Sequence, residues 1–278
     1  MMPARGLMVA TSRMRSSPLN FALRQGRLLA VLLTVGIYSA LAPFGYAGLA
    51  LLCALWRRHP QKRARRLQTI TSRAYRLMHD WLTWTRITSF DWRKAAVDLP
   101  SGPCVVIANH PTLIDVTAIT AALGGAISIV KPGLYRRAMI RPLLLGLGHV
   151  EGPGADPIRA GKVVDRVAER LSWGIPVVIF PEGTRSPPGG RHAFGRVAFE
   201  VACRAQVPLV VLGVTCEPLY LSKQAPPLRP PHPMPRLEVQ TLAVERPGAG
   251  TSSRTLRAKV ESLYDVWLNR VATHKPKT

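Results

Sequence analysis

Between Leu28 and Trp56 the chain runs for 29 residues without a charge, LLAVLLTVGIYSALAPFGYAGLALLCALW. Core helices of water-soluble domains are seldom so long or so uniformly apolar, and the length matches a membrane segment. A cleaved signal peptide fits poorly: the basic leader and the apolar run are too long, and Pro43 follows Ala40-Leu41-Ala42 directly. One helix of this length would extend about 43 Å, overshooting a hydrocarbon core of about 30 Å unless tilted. Alternatively, Pro43 and Gly45 break the run into two arms, Leu28–Ala42 and Phe44–Trp56. Each arm would reach about 20 Å, so the pair would dip into one leaflet and return. Both flanks are basic, which suits two ends on the cytoplasmic side. The expected arrangement is therefore a membrane-anchoring helical hairpin, with a mildly kinked single span as the alternative.

Downstream, Gln61 to about Ile87 has the spacing of an amphipathic helix. Leu67, Ile70, Ala74, Leu77, Met78, Trp81 and Trp84 recur at threes and fours among Arg63, Arg66, Arg73 and Arg76. Such a helix suits the lipid headgroup region, and equally the surface of a packed domain. After Pro100-Ser101-Gly102-Pro103 the pattern changes to short apolar runs alternating with helical stretches. Strands are predicted at Cys104–Ala108, Ala126–Val130, Pro176–Phe180, Pro208–Val214 and Leu237–Val244. Lacking polar alternation, they read as covered on both faces. Helices are predicted at Thr112–Leu123, Leu134–Leu147, Pro157–Trp173, Phe194–Ala205 and Ser253–Val271, the last with Thr251–Ser253 as candidate caps. The fold class is α/β, a largely parallel or mixed sheet flanked by helices. Four regions result: a basic N-terminal segment (1–27), the membrane segment (28–56), a basic amphipathic linker (57–99) and the α/β domain (100–278). Ala225–Pro235 reads as an irregular, Pro-rich connection.

Composition sharpens this picture. Lys and Arg outnumber Asp and Glu by 38 to 15, a net charge of +23, which calls for an anionic partner. Arg13, Arg15, Arg24 and Arg27 precede the apolar run, and Arg57, Arg58, Lys62, Arg63, Arg65 and Arg66 follow it. That bracketing favours an anionic membrane over nucleic acid. Cys53, Cys104, Cys203 and Cys216 are widely spaced and form no CxxC pair, so free thiols are expected and neither a disulfide framework nor a metal site.

Ligands of α/β sheets sit at the carboxyl ends of strands, where two polar constellations fall. The first is Ala108-Asn109-His110-Pro111-Thr112-Leu113-Ile114-Asp115, leaving one strand and entering a helix, with Pro111 suited to the first helical turn. If His110 stands just outside that turn, Asp115 accepts a proton from one ring nitrogen and leaves the other as base. The second is Phe180-Pro181-Glu182-Gly183-Thr184-Arg185-Ser186. Gly183 permits a tight turn, and the Arg185 fork matches phosphate oxygens. Alone, each admits a plain structural reading as a helix entry or a polar turn.

Together the two motifs resemble the glycerolipid acyltransferase superfamily, best known for lysophosphatidic acid acyltransferases. The resemblance covers roughly Pro103 to Gly213. It implies His110 as general base, Asp115 as its orienting partner, and Glu182, Gly183, Thr184 and Arg185 as the site for the acceptor's phosphate. Lys131 stands where the family often has a basic residue. Implied as well are an acyl thioester donor, on coenzyme A or acyl carrier protein, and a lysophospholipid acceptor. No cofactor or metal is expected, and the place is the cytoplasmic face of a membrane (the inner membrane in a bacterium). The family's Arg shortly after an intervening strand is missing: Gly148-His149-Val150-Glu151-Gly152-Pro153 contains none, and the next is Arg159. The later proline of its VPxxPV pattern is also missing after Pro208. An altered, non-glycerol acceptor is therefore the runner-up. A membrane-anchored nucleic-acid binder is the remaining alternative, disfavoured because aromatics are only 6% of the chain and no nucleic-acid motif is visible. Direct transfer needs no protein nucleophile, consistent with the lack of a Gly-x-Ser-x-Gly elbow. Oxyanion donors are expected among the backbone amides near Pro111–Leu113.

Overall fold

The computed structural model describes residues 18–92, 95, 99–100, 102–154 and 156–273. Arg13, Arg15 and Ser101 lie outside the described residues. Seven strands form one mixed sheet: β1 (Ser89–Phe90), β2 (Val105–Ala108), β3 (Ile127–Val130), β4 (Val150–Glu151), β5 (Val177–Ile179), β6 (Leu209–Glu217) and β7 (Arg236–Glu245). Their order is β1-β7-β6-β2-β5-β3-β4. The five strands from β6 to β4 are parallel; β7 runs antiparallel to β6, and β1 parallel to β7. The five predicted strands are present, with ends shifted by up to three residues. The two-residue strands β1 and β4 are too short to leave a periodic signal.

Successive residues of each central strand enter different cores. Val105, Ile107, Val177, Ile179, Leu209 and Val211 face α6 (Pro157–Leu171), α7 (Val197–Ala205) and α8 (Ser253–Thr273). Val106, Ala108, Val178, Val210 and Leu212 face α3 (Asp115–Ala122) and the C-terminal part of α2 (Pro60–Trp84). This two-sided burial explains the missing polar alternation. α6 illustrates the helical layer. Asp156 caps it by accepting from the Ile158 and Arg159 amides. Val163, Val164, Val167 and Leu171 are its buried stripe, each contributing roughly 1.5–3 kcal/mol. The helix predicted at Leu134–Leu147 is instead two short ones, α4 (Pro132–Tyr135) and α5 (Arg141–Gly146). Pro142 sits in the first turn of α5, where its ring costs nothing; inside a longer helix it would clash with the preceding turn.

The expected hairpin is corrected. α1 (Pro18–Leu55) is one helix of 38 residues with Pro43 inside it. A proline inside a helix removes one hydrogen bond, whereas a turn there would leave several backbone groups of both arms unpaired. Among the described residues, Ala22–Leu55 is long and apolar enough to cross a membrane, by length and composition alone. Yet it rests on the domain at two places. At the first, in the N-terminal half, Val31 and Thr34 are buried, and Thr34 accepts from the Trp81 indole at 3.0 Å. Near the other, Cys53 packs so closely on Gly146 that a Cβ there would collide with its sulfur, and Trp56 carries Arg66 over its ring at 5.0 Å. These contacts are about 33 Å apart along the helix, so α1 lies along the domain. Residues 35–45 between them are exposed.

α2 divides its apolar positions. Ala64, Leu67 and Leu82 are buried, and Gln68 clamps the helix by donating to the Leu147 carbonyl and accepting from the Ala126 amide. Ile70, Leu77 and Trp84, spaced by seven, form an exposed stripe.

Candidate active site

The site begins where β2, the middle strand, leaves the sheet. Its last ladder partner on β6 is Leu212, opposite Ala108. Asn109 prolongs the pairing with its side chain, donating to the Val214 carbonyl at 2.8 Å and accepting from the Val214 amide at 2.7 Å. His110 therefore exits at a fixed angle. Its amide donates to Ser186 Oγ and its carbonyl accepts from the Ser186 amide, both at 2.8 Å. Its ring stacks on Phe180 at 4.4 Å between centroids.

His110 Nδ1 lies 3.0 Å from Asp115 Oδ2. The imidazole is 20% exposed and the carboxyl fully buried. Asp115 is the first residue of α3, so the five-residue spacing spans a loop that folds back on itself. Pro111, expected in the first helical turn, belongs to this loop. Thr112 donates to Asp115 through its amide at 2.8 Å and through its hydroxyl. Burial pushes the Asp115 carboxyl above its ordinary range, while the hydrogen bonds from His110 and Thr112 act in the opposite direction. With Nδ1–H donating to this carboxylate, Nε2 keeps its lone pair. The arrangement can take a proton and stabilise the resulting imidazolium.

The second motif follows β5. Gly183, at φ +64°, closes a turn whose amide donates to the Phe180 carbonyl at 3.0 Å, a conformation that costs glycine little. Glu182 accepts from Ser186 Oγ at 2.5 Å and from the His192 amide at 2.7 Å. It braces the loop that holds His110. Half-buried Arg185 donates to the Leu221 carbonyl at 3.2 Å, and the same carbonyl accepts from the Leu113 amide at 2.9 Å. One backbone oxygen thus joins both motifs. Leu221 itself is left-handed, at φ +54°.

Lys131 is exposed at the carboxyl end of β3, on the same edge of the sheet. Val105, Val177 and Ile127 share one row of the ladder, with His110, Phe180 and Lys131 five, three and four residues further on. No described contact links Lys131 or Thr184 to Arg185. Oxyanion donors near Pro111–Leu113 are not free: the Thr112 and Leu113 amides are already used, and proline has none. Asn109, Thr112 and Phe180 stood inside the motifs without an assigned role; their signal was polarity, or an aromatic ring, at a strand end, while Ser186, expected as a hydroxyl donor beside Thr184 and Arg185, bridges His110 and Glu182. Leu221 left no signal, because it acts through its backbone.

Residues 93–215 match the family model for Acyltransferase. That match spans less than half of the chain. The matched segment contains both motifs and the expected extent, Pro103 to Gly213. Among curated proteins, a chloroplastic 1-acyl-sn-glycerol-3-phosphate acyltransferase of Brassica napus is 29% identical over 46% of this chain and 39% of its own length. The human 1-acyl-sn-glycerol-3-phosphate acyltransferase alpha is 33% identical over 40% of each. The chain thus aligns with well under half of these relatives' length. The crystal structure of the 1-acyl-sn-glycerophosphate acyltransferase PlsC from Thermotoga maritima superimposes with a TM-score of 0.64 at 20% identity, covering 91% of this chain and all of that one. That likeness shows the α/β fold.

Proposed function

We propose that this protein is a membrane-associated O-acyltransferase. It moves a fatty acyl group from a thioester, on coenzyme A or acyl carrier protein, to the free hydroxyl of a lysophospholipid of the 1-acylglycerol-3-phosphate type. The observation that carries the reading is the His110–Asp115 pair, braced through Ser186 and Glu182 to the loop bearing Arg185. Nε2 of His110 removes the acceptor's hydroxyl proton as the oxygen attacks the thioester carbonyl. The tetrahedral intermediate collapses, the carbon–sulfur bond breaks, and the imidazolium returns the proton to the thiolate. Asp115 holds the tautomer and offsets the transient positive charge. Arg185, with Lys131 and Thr184 on the same edge, binds the acceptor's phosphate; Glu182 and Gly183 shape that loop.

Membrane association rests on α1, held against the domain at two places with the stretch between them apolar and exposed. In that geometry the helix lies in the interface and both ends stay on one side, as the basic flanks require. That side is the cytoplasmic one, the inner membrane's in a bacterium.

One observation favours the second reading, a non-glycerol acceptor. The turn after β4 adds no cation to the cradle. The Gly152 amide donates to the Val130 carbonyl, and a Cβ at Gly152 would stand 3.1 Å from Ile129 Cγ2 and 3.2 Å from that carbonyl. The nearby Arg159 is paired with Asp156.

Labelled acyl donor offered with a panel of lysolipids tests both readings. The wild type is expected to acylate 1-acylglycerol-3-phosphate, and His110→Ala to lose transfer by roughly 10²–10⁴-fold while still binding vesicles. Wild-type turnover in His110→Ala would refute the base, and product from an amino-acid lipid alone would establish the second reading.

A further inference from the structure

The segment between β6 and β7 was expected as a mere connection, yet it ties the candidate site to α1. At one end, the Leu221 carbonyl holds Arg185 and the Leu113 amide. At the other, Arg27 Nη1 donates to the Pro231 carbonyl. In between, the Tyr220 hydroxyl donates to the Pro227 carbonyl, and Ser222 Oγ accepts from the Gln224 and Ala225 amides. The segment is thus fixed without being helix or strand.

Its tip points outward. Lys223, Gln224 and Pro226-Pro227-Leu228-Arg229 are exposed, with Leu228 58% accessible. From Pro218 to Pro235 the sequence has no Asp or Glu, so no carboxylate of the segment itself offsets Lys223 and Arg229. Arg27, to which it is tied, is the last charge before the apolar run. Arg86 stands near enough to Arg27 to repel it, extending the positive patch, and the neighbouring Trp84 is 75% exposed. An exposed leucine between cations, on a segment tied to α1 where its apolar run begins, fits the boundary between lipid headgroups and acyl chains.

Building on the proposed function, we infer that residues 218–235 form a second bilayer contact, distinct from α1. Lys223 and Arg229 engage the phosphates of an anionic leaflet, and Leu228 enters the apolar boundary. The contact presents a membrane-embedded acceptor to Arg185 through Leu221.

The test uses full-length wild type, Lys223→Gln/Arg229→Gln, and a control of equal charge loss, Lys162→Gln/Arg254→Gln on α6 and α8. Each is assayed with 1-acylglycerol-3-phosphate in phosphatidylcholine vesicles containing one-third phosphatidylglycerol, and with a short-chain acceptor free of vesicles. For the 218–235 pair the apparent KM in vesicles is expected to rise about 5-fold or more. KM for the short-chain acceptor should stay unchanged, and the control should behave as wild type. Sedimentation with the same vesicles reads the contact without turnover, and the 218–235 pair should bind less. Unchanged vesicle binding and KM would overturn the inference, as would equal shifts in the control or with both acceptors. A shift confined to KM for an acyl carrier protein donor would also overturn it, by assigning the tip to the donor. Sedimentation loss in a chain inactive on both acceptors would instead uphold the contact and sink the acyltransferase reading.

Discussion

The His110–Asp115 loop and α1 are held in opposite ways. In the loop, nearly every polar group has a partner: Asp115 accepts three hydrogen bonds, Asn109 makes two, and the His110 backbone exchanges two with Ser186. α1 touches the domain at two places and leaves the apolar stretch between them open, with Phe44 76% exposed. A buried, saturated network fixes atoms to within tenths of an ångström, as proton transfer demands. An open apolar surface specifies a solvent and not a partner atom. The first region is built for geometry and the second for place.

The contrast breaks first at Asp115. Asp115→Asn retains shape but removes the charge that balances the imidazolium, so turnover should fall by roughly 10²–10⁴-fold with vesicle binding unchanged. Loss of both together would show that the regions are not independent.

The joint between them is α2, which packs on α3. There buried His79 meets Thr117 across 3.0 Å through Nε2. Burial lowers its pKa from 6.5 to about 4, with Asp80 acting the other way. The folded protein therefore resists a proton that the unfolded chain accepts. Stability is full above about pH 6.5 and declines as pH falls toward 4, by up to about 3 kcal/mol. Melting temperature against pH should show that decline, and His79→Gln should make it shallower without abolishing it, because burial lowers the pKa of His149 to about 4 as well. An identical profile in the variant would place the acid sensitivity elsewhere.

The smallest effect belongs to α1. Phe44→Asp should weaken vesicle partitioning by about 2–3 kcal/mol and leave turnover of a short-chain acceptor intact. Unchanged partitioning would mean that the exposed middle of α1 does not meet lipid.

Much of this was legible in the chain. Strands without polar alternation were found because burial on both faces leaves a local imprint, and the His110–Asp115 pairing because five residues can close only a small loop. The partners of Glu182 were not legible: which groups a carboxylate accepts from depends on neighbours such as Ser186 and His192, whose positions follow from the turn. The expected oxyanion amides failed for the same reason, since the Leu113 amide is taken by a carbonyl more than a hundred residues away.

By itself, the sequence determined where the longer strands and most helices lie, that an apolar run favours a nonaqueous neighbour, and that a histidine and an aspartate sit at one strand end. Those are properties of short windows, set by periodicity and chain stiffness. Only the tertiary structure decided that Pro43 stays helical, that α1 lies along the domain, and that one left-handed leucine carbonyl joins the two motifs. Each of these turns on how distant backbone groups find partners. Hydrogen bonds act over about 3 Å, and no pattern along the chain encodes which remote atom arrives within that distance.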